Sequence, residues 1–188
     1  MKRTRTDDWS ALRLEDRIRP GLRVLFVGIN PGVRSAVTGH HFAGFSNRFW
    51  KLLSQSRLVP EPLTHIDDAR LPEWGFGITN LIARPSPGID DLRPAEYADG
   101  WKALEEKIRR AKPEYVALVG VTLYRAILPF LDVHKPTKGP RLRLGLQPQN
   151  IHGARVVVLP NPSGRNANYS YDEMLRAFRG LARLLRAR

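Results

Sequence analysis

Leu22-Arg23-Val24-Leu25-Phe26-Val27-Gly28 is the stretch of sequence that decides the fold. A nearly continuous apolar run of this length is typical of a strand that is buried on both faces, and Pro31-Gly32 ends it shortly afterwards. Further apolar runs of this kind lie at residues 76–82, 115–119 and 154–159. Because strands buried on both faces belong to parallel sheets covered by helices, these runs together predict an α/β fold.

The segments between the apolar runs predict the covering helices. Pro94 suits the first turn of a helix that continues to about residue 112, and Ser170 with Glu173 forms a capping box that opens the last helix. Other predicted elements are a helix at residues 9–19, a helix with Ser46 as its N-cap, a helix at 121–128 and a short edge strand at 142–146. We therefore expect three layers, with a mostly parallel central sheet between helices on both faces. Residues 1–188 are expected to form a single domain with a flexible basic arm at about residues 1–8.

The balance of charge indicates a polyanionic partner. The 188 residues contain 31 Lys and Arg against 18 Asp and Glu, which gives a formal net charge of +13 at pH 7. Such a surplus favours nucleic acid, because each neutralised phosphate releases bound counterions. The alternative is an arginine-rich proteome in which every protein is basic.

The absence of cysteine excludes disulfides, thiolate zinc sites and iron–sulfur clusters held by cysteine. We expect neither a cofactor nor a metal ion. The charged N-terminus lacks the apolar run of a signal peptide, and no stretch approaches the roughly 18 apolar residues of a membrane span. We therefore expect a protein of the bacterial cytosol or nucleoid that does not contact membranes.

Two unusual loops follow predicted strands, at the edge where open α/β sheets bind their ligands. The first is Gly28-Ile29-Asn30-Pro31-Gly32, whose glycines let backbone N–H groups approach a ligand and whose asparagine offers an uncharged amide. The second is Pro160-Asn161-Pro162-Ser163-Gly164-Arg165-Asn166, a stiff loop with a long cation at its tip. Taken singly, each loop is equally explained by an ordinary solvated turn.

Further sequence blocks accompany the two loops in a fixed order. The blocks are Val24-Leu25-Phe26-Val27-Gly28-Ile29-Asn30-Pro31-Gly32, Thr38-Gly39-His40-His41-Phe42-Ala43, Asn47-Arg48-Phe49-Trp50-Lys51, Gly77-Ile78-Thr79-Asn80-Leu81 and Pro160-Asn161-Pro162-Ser163-Gly164. In order and spacing, over residues 20–185, they resemble the mismatch-specific uracil/thymine DNA glycosylase family of the uracil-DNA glycosylase superfamily. The resemblance implies a monofunctional enzyme of base excision repair. Such an enzyme flips uracil, a mismatched thymine or a damaged pyrimidine opposite guanine out of double-stranded DNA and hydrolyses its N-glycosidic bond.

The resemblance also implies roles for residues of the first loop and its surroundings. It assigns Asn30 to the attacking water, which an amide positions rather than deprotonates. Phe42 is assigned to stacking on the extruded base, while backbone groups near Ile29 and the side chain of Asn80 are assigned to its polar edge. Ser35 lies where relatives flank the 5-substituent of the pyrimidine.

The second loop is expected to enter the minor-groove side of the lesion and read the guanine left opposite. The residues assigned to that task are Asn161, Ser163, Gly164, Arg165 and Asn166, with Arg165 as the wedge. Asp90 and Asp91 are candidates for an additional carboxylate, because Asn30 stands where other uracil glycosylases carry aspartate. A solvated acidic turn explains them as well. The implied partner is double-stranded DNA with a G·U or G·T mismatch, bound by a monomer.

Some alternatives stay open at this level. Ser35 resembles the uracil-preferring branch of the family, whereas Gly39-His40-His41-Phe42 resembles the thymine-processing branch, so activity on thymine is undecided. A non-catalytic mismatch-binding protein on the same fold would keep the basic surface and Arg165. A nucleotide-binding enzyme with Gly28 to Gly32 as its phosphate loop is a poorer match, because the spacing fits neither the dinucleotide fingerprint nor the P-loop.

Overall fold

A five-stranded sheet organises the protein. The computed structural model describes residues 9–131 and 143–187. The strands are β1 (Val24–Gly28), β2 (Phe76–Asn80), β3 (Tyr115–Val119), β4 (Gly145–Ile151) and β5 (Ala154–Leu159). Their order in the sheet is β2-β1-β3-β5-β4, and among these five strands β4 alone runs antiparallel, at the edge beside β5. The predicted mostly parallel sheet is confirmed, and the carboxyl ends of its four parallel strands meet at one edge.

Helices cover both faces of this sheet, as predicted. In the described residues they are α1 (Val33–Thr38), α2 (Phe49–Gln55), α3 (Pro94–Ala111), α4 (Val121–Ile127) and α5 (Tyr171–Arg186). Phe26 packs on one face with Phe49 of α2 and Phe178 of α5, whereas Leu25 packs on the other face with Trp101 of α3 and Leu123 of α4. Successive side chains of a strand point to opposite faces, so a strand covered on both sides must be apolar throughout.

Several boundaries agree with the sequence prediction. Strands β3 and β5 and helix α3 lie where they were expected. The capping box is present, since the N–H of Glu173 donates to Ser170 Oγ at 3.2 Å and the N–H of Ser170 donates to Glu173 Oε2 at 2.7 Å. None of the helices in residues 9–131 and 143–187 combines the length and apolar character that a membrane crossing requires.

The helix predicted at residues 9–19 is wrong. A single 3-10 turn at Trp9–Ala11 is present, and the following chain is extended. Arg17 exchanges two backbone hydrogen bonds with Ile78 of β2, both at 2.9 Å. Because β2 is an edge strand with unpaired backbone groups, pairing with this segment satisfies them and outweighs a weak helical pattern.

Two other boundaries differ from the prediction. Helix α2 begins at Phe49 rather than after Ser46, because Asn47 Oδ1 accepts the N–H of Phe49 at 2.9 Å. The edge strand lies at Gly145–Ile151, later than the predicted 142–146, and Leu142 falls outside the described residues. The predicted basic arm at residues 1–8 also lies outside them.

Candidate active site

A cavity of about 210 Å³ opens at the carboxyl ends of the parallel strands. Both unusual loops reach it, together with the segment after β2. Of the residues singled out from the sequence, the structure brings seven to its lining: Ile29, Asn30, Ser35, Phe42, Asn80, Asn161 and Ser163. Gly164, Arg165 and Asn166 lie beyond the lining in the second loop, and Asp90 and Asp91 also lie outside it.

The side chain of Asn30 is held in one orientation. Its Nδ2 donates to the carbonyl oxygens of Pro31 at 3.1 Å and Arg84 at 3.2 Å, and to Ser86 Oγ at 2.8 Å. Ser86 Oγ accepts this bond because its own hydrogen is donated to the carbonyl of Gly88 at 2.6 Å. All three partners of Nδ2 are acceptors, so the opposite amide orientation would set oxygen against oxygen.

This orientation leaves Asn30 Oδ1 as an acceptor for a ligand. Within the described part of the chain, no hydrogen bond uses Oδ1. The side chain is partly exposed and lines the cavity. A water molecule that donates to Oδ1 has its lone pairs free, which is the arrangement that a nucleophilic water needs.

Asn80 lies at the end of β2, directly opposite Gly28 in the register of the sheet. It is 9% exposed, and within residues 9–131 and 143–187 its amide makes no hydrogen bond. A Cβ atom on Gly28 would lie 2.5 Å from Asn80 Oδ1 and 3.5 Å from the ring of Phe42. Glycine is therefore required at position 28 so that the amide and the aromatic ring can occupy the same cavity.

Phe42 forms an aromatic wall of the cavity. Its ring stacks on Phe49, with 4.2 Å between centroids and 22° between planes, which leaves the other ring face for the cavity. The backbone of Phe42 has a φ of 51°, in the left-handed region that side chains other than glycine rarely adopt. Such a conformation costs on the order of 1–3 kcal/mol and is found where the surrounding contacts impose it.

Asp68 holds the two residues that precede Phe42. Its carboxylate is fully buried, and it accepts the backbone N–H of His41 at 2.9 Å and the Nε–H of Arg17 at 3.2 Å. His40 Nδ1 lies 3.2 Å from the same carboxylate. The carboxylate thus joins the extended segment before β1 to the two residues that precede Phe42. Asp68 could not be singled out from the sequence, because an acidic residue beside Asp67 is indistinguishable from a solvated acidic turn.

His41 has a structural environment. It is buried, its Nε2 lies 3.0 Å from the carbonyl oxygen of Glu15, and its own carbonyl accepts the indole N–H of Trp50 at 3.1 Å. Burial lowers the pKa of His41, and this effect exceeds the opposing contributions of the Glu15 carbonyl and the Asp68 carboxylate. A neutral imidazole that donates from Nε2 to the Glu15 carbonyl fits these contacts.

Ser35 fixes the other side of the Phe42 segment. Its Oγ accepts the N–H of Ala43 at 3.0 Å, and its side chain is buried. The side chain therefore lines the cavity while its hydroxyl oxygen is already used as an acceptor. The predicted place of Ser35 beside the ligand remains a prediction.

The second loop is braced by its own polar side chains. Asn161 Oδ1 accepts the N–H of Ser163 at 3.0 Å, and Asn166 Nδ2 donates to the carbonyl of Asn161 at 2.8 Å. Gly164 packs against Ser46 so closely that a Cβ atom would overlap its side chain. Arg165 is exposed at the tip, and its side chain has no hydrogen bond or ion pair in the described residues. The loop therefore presents a cation on a rigid support.

Asp90 and Asp91 lie in the 3-10 turn Ile89–Asp91 and are both exposed. The carboxylate of Asp91 accepts the N–H of Gly88 at 3.1 Å, and its carbonyl accepts from Arg84 at 2.9 Å. These contacts brace the turn that follows Ser86. The structure does not bring either carboxylate to the cavity lining.

Basic residues lie in the segments around the rim of the cavity, although none of them lines the cavity itself. Arg34, Arg48, Lys51 and Arg165 lie in the segments that surround it, and none of the four has a carboxylate partner in the part of the chain that the structure describes. By contrast, Arg84 is paired with Glu96 at 2.7 Å and helps to hold the pKa of that carboxyl at about 2. No three His, Asp or Glu side chains of residues 9–131 and 143–187 are grouped as metal ligands would be.

The chain is similar to proteins of one known family. The family model described as the uracil DNA glycosylase superfamily matches residues 15–182. A G/U mismatch-specific uracil DNA glycosylase of Schizosaccharomyces pombe is 40% identical over 152 residues, which cover 79% of this chain and 46% of the relative. The chain thus spans about half the length of that relative. The solution NMR structure of a candidate uracil DNA glycosylase from Methanosarcina acetivorans has a similar fold, with a TM-score of 0.56, 16% identity and coverage of 91% of this chain and 98% of that one.

Proposed function

This chain belongs to the uracil DNA glycosylase superfamily, and we propose that it removes uracil opposite guanine from double-stranded DNA as a monofunctional glycosylase. The observation that carries the proposal is the orientation of Asn30, whose Nδ2 has three protein acceptors while its Oδ1 is left for a water molecule in the cavity. The name of the fission yeast relative supports uracil in a G·U mismatch as the substrate.

The dimensions of the cavity support a single base as its occupant. At about 210 Å³ it is smaller than the roughly 300–1,000 Å³ of sites that enclose drug-sized molecules. Phe42 offers one ring face for stacking, and Asn80 offers an amide without a partner in the described residues. A base in a duplex reaches such a cavity only after it has been extruded from the stack.

The residues present suit a dissociative hydrolysis. The C1′–N1 bond breaks and its electron pair leaves with the base, so C1′ becomes an oxocarbenium-like centre and the base becomes an anion. Asn30 Oδ1 accepts one hydrogen of a water molecule and turns its lone pair toward C1′. The water oxygen adds to C1′, and its proton is released to solvent. The amide of Asn80 stabilises the charge on the departing base by hydrogen bonding.

The DNA partner is supported by the net charge of +13 and by the unpaired cations of the rim. We propose that the protein acts as a monomer, with both loops and the base-sized cavity supplied by one chain. The second loop is proposed to read the opposite guanine, with Arg165 entering the space that the extruded base leaves. We place this activity in the bacterial cytosol or nucleoid, where chromosomal DNA is found.

The test is single-turnover excision on matched duplexes that carry G·U, A·U or G·T, and on single-stranded DNA with uracil. We expect excision at G·U, and a loss of at least about 10²-fold in Asn30→Ala with duplex affinity unchanged. Asn150→Ala removes an exposed asparagine of β4, far from the cavity, and should behave as the unchanged protein. Equal excision from A·U and single strands would discard guanine reading. Tight binding without excision on any substrate would favour the non-catalytic mismatch-binding protein.

A further inference from the structure

Phe45 is the most exposed of the large hydrophobic side chains in the described residues. It is 90% exposed, whereas Phe42, three residues earlier in the same loop, is half-buried. A single exposed apolar residue needs no explanation by itself. What distinguishes Phe45 is that the guanidinium carbon of Arg34 lies 3.6 Å from the centroid of its ring. The ring is therefore supported on one side and open on the other.

Arg34 is fixed in this position. It belongs to α1, and its Nε donates to the carbonyl of Ala43 at 2.7 Å. Within residues 9–131 and 143–187, its terminal nitrogens have no carboxylate partner. A guanidinium that is stacked on a ring and keeps its terminal N–H groups free is suited to bind phosphate.

The pair borders a second cavity that adjoins the first. This larger cavity, of about 530 Å³, is lined by Arg34, Phe45 and Lys51 among others. It shares Phe42, Gly44 and Asn47 with the base-sized cavity. Phe45 follows Phe42 by three residues, so their Cα atoms lie at most roughly 10 Å apart, and both side chains line the larger cavity.

The second loop lies against the same segment. The N–H of Arg48 donates to the carbonyl of Pro162 at 2.9 Å, and Gly164 packs on Ser46 next to Phe45. These contacts fix the distance between Phe45 and the loop that carries Arg165. A strand whose base enters the cavity thus meets Arg165 and Phe45 as parts of one rigid surface.

We propose that Phe45 and Arg34 bind the nucleotide next to the extruded one, in the same DNA strand. Extrusion of a base leaves the face of its neighbour unstacked, and the open side of the Phe45 ring covers that face. Arg34 and Lys51 bind the phosphates of this strand. The inference rests on the proposed function, since it takes the base-sized cavity as the site of the extruded base.

The test couples changes in the protein to changes in the DNA. Affinity is measured for a G·U duplex whose uracil nucleotide resists hydrolysis, and for two duplexes that lack the base on the 5′ or the 3′ side of the uracil. Phe45→Ala should weaken binding to the intact duplex roughly tenfold, the usual effect of losing one stacked base. With one of the two neighbours removed, the same substitution should change affinity less than about twofold. An equal loss on all three duplexes, or no loss on any, overturns the proposal.

Control variants separate stacking from other effects. Phe45→Tyr keeps the ring and should bind the intact duplex as the unchanged protein does. Leu146→Ala removes another exposed apolar side chain, on β4, and should have no effect. Arg34→Gln should reduce the slope of log affinity against log salt by roughly 0.9, the value for one phosphate contact. A Phe45→Ala protein that loses binding to another protein but not to DNA would assign the ring to a protein partner and overturn the proposal.

The readout also separates this inference from the proposed function. If the unchanged protein excises uracil and Phe45→Ala loses either no affinity or the same affinity on all three duplexes, relative to the unchanged protein, the inference alone fails. If the unchanged protein binds the G·U duplex but does not excise uracil, the proposed function fails, while the coupling measurement still decides whether Phe45 covers a neighbouring base.

Discussion

Asn30 Nδ2 donates to Ser86 Oγ at 2.8 Å, across 56 positions of the chain. The bond links the loop after β1 to the segment after β2, and it depends on the hydrogen bond from Ser86 to Gly88, which leaves the serine oxygen as an acceptor. The orientation of the proposed catalytic amide is thus set in part by a serine of another segment, which itself lines the cavity.

Ser86→Ala removes one of the three acceptors of Asn30 Nδ2. We expect the amide to become less fixed, so that the single-turnover rate at G·U falls roughly tenfold while duplex affinity changes little, as expected for one hydrogen bond of about 1.4 kcal/mol. Excision rate and affinity are measured together with thermal unfolding. A protein that is less stable but excises uracil at the full rate would contradict this role.

Gly28→Ala should place a methyl carbon only 2.5 Å from the present position of Asn80 Oδ1. We expect excision to fall at least about tenfold and the free energy of unfolding to fall by about 1–3 kcal/mol, the usual effect of overpacking. Adding Asn80→Ala should restore stability but not excision, because it frees the space and removes the amide. In α5, a Cβ atom on Gly180 would lie no closer than 3.9 Å to any atom outside the helix backbone. Gly180→Ala should therefore lower neither excision nor the free energy of unfolding. Full excision by Gly28→Ala would show that Asn80 has no fixed position in the reaction.

Arg165→Ala tests whether Arg165 enters the space that the extruded base leaves. The side chain is exposed and unpaired in the described residues, so we expect stability to stay the same while excision at G·U falls roughly tenfold and the abasic product dissociates faster. Arg176→Ala removes an exposed arginine of α5 as a matched loss of charge. If both variants show the same small change, confined to salt sensitivity, Arg165 is an ordinary phosphate contact.

Stability should depend on pH through His41. Burial lowers the pKa of this imidazole in the folded protein below 6.5, so the unfolded chain binds the proton more readily. Neutral His41 therefore contributes fully to the free energy of unfolding above pH 6.5. As the pH falls below 6.5, this contribution is lost by at most about 1.4 kcal/mol per pH unit. Urea unfolding at pH 7.5, 6.5 and 5.5 measures this decline.

The free energy of unfolding of His41→Gln should decline less over the same pH range, because a glutamine amide does not titrate. The stability of Asn150→Ala, which replaces an exposed side chain of β4 that does not titrate, should decline as that of the unchanged protein does. A decline that is identical in all three proteins would assign the pH dependence to other groups.

Much of the fold was predictable because its elements have local signals. The apolar runs of β1, β3 and β5 and the capping box of α5 are each contained within a few residues. The helix predicted at residues 9–19 is absent because the decisive contact there is not local. The edge of β2, more than 50 residues away, satisfies the backbone of Arg17, and no pattern within the segment indicates that.

The sequence by itself determined the parallel strands, helices α3 and α5, and the two loops that carry Asn30 and Arg165, because hydrophobic period, turn residues and motif spacing are properties of neighbouring positions. Only the tertiary structure decided how Asn30 is oriented, why residue 28 must be glycine, and that a buried Asp68 holds the segment of Phe42. Each of these depends on atoms that are distant in the chain and lie within hydrogen-bonding or van der Waals distance after folding. Such contacts are made by the packing of the whole sheet, and they leave no periodic signal in the sequence.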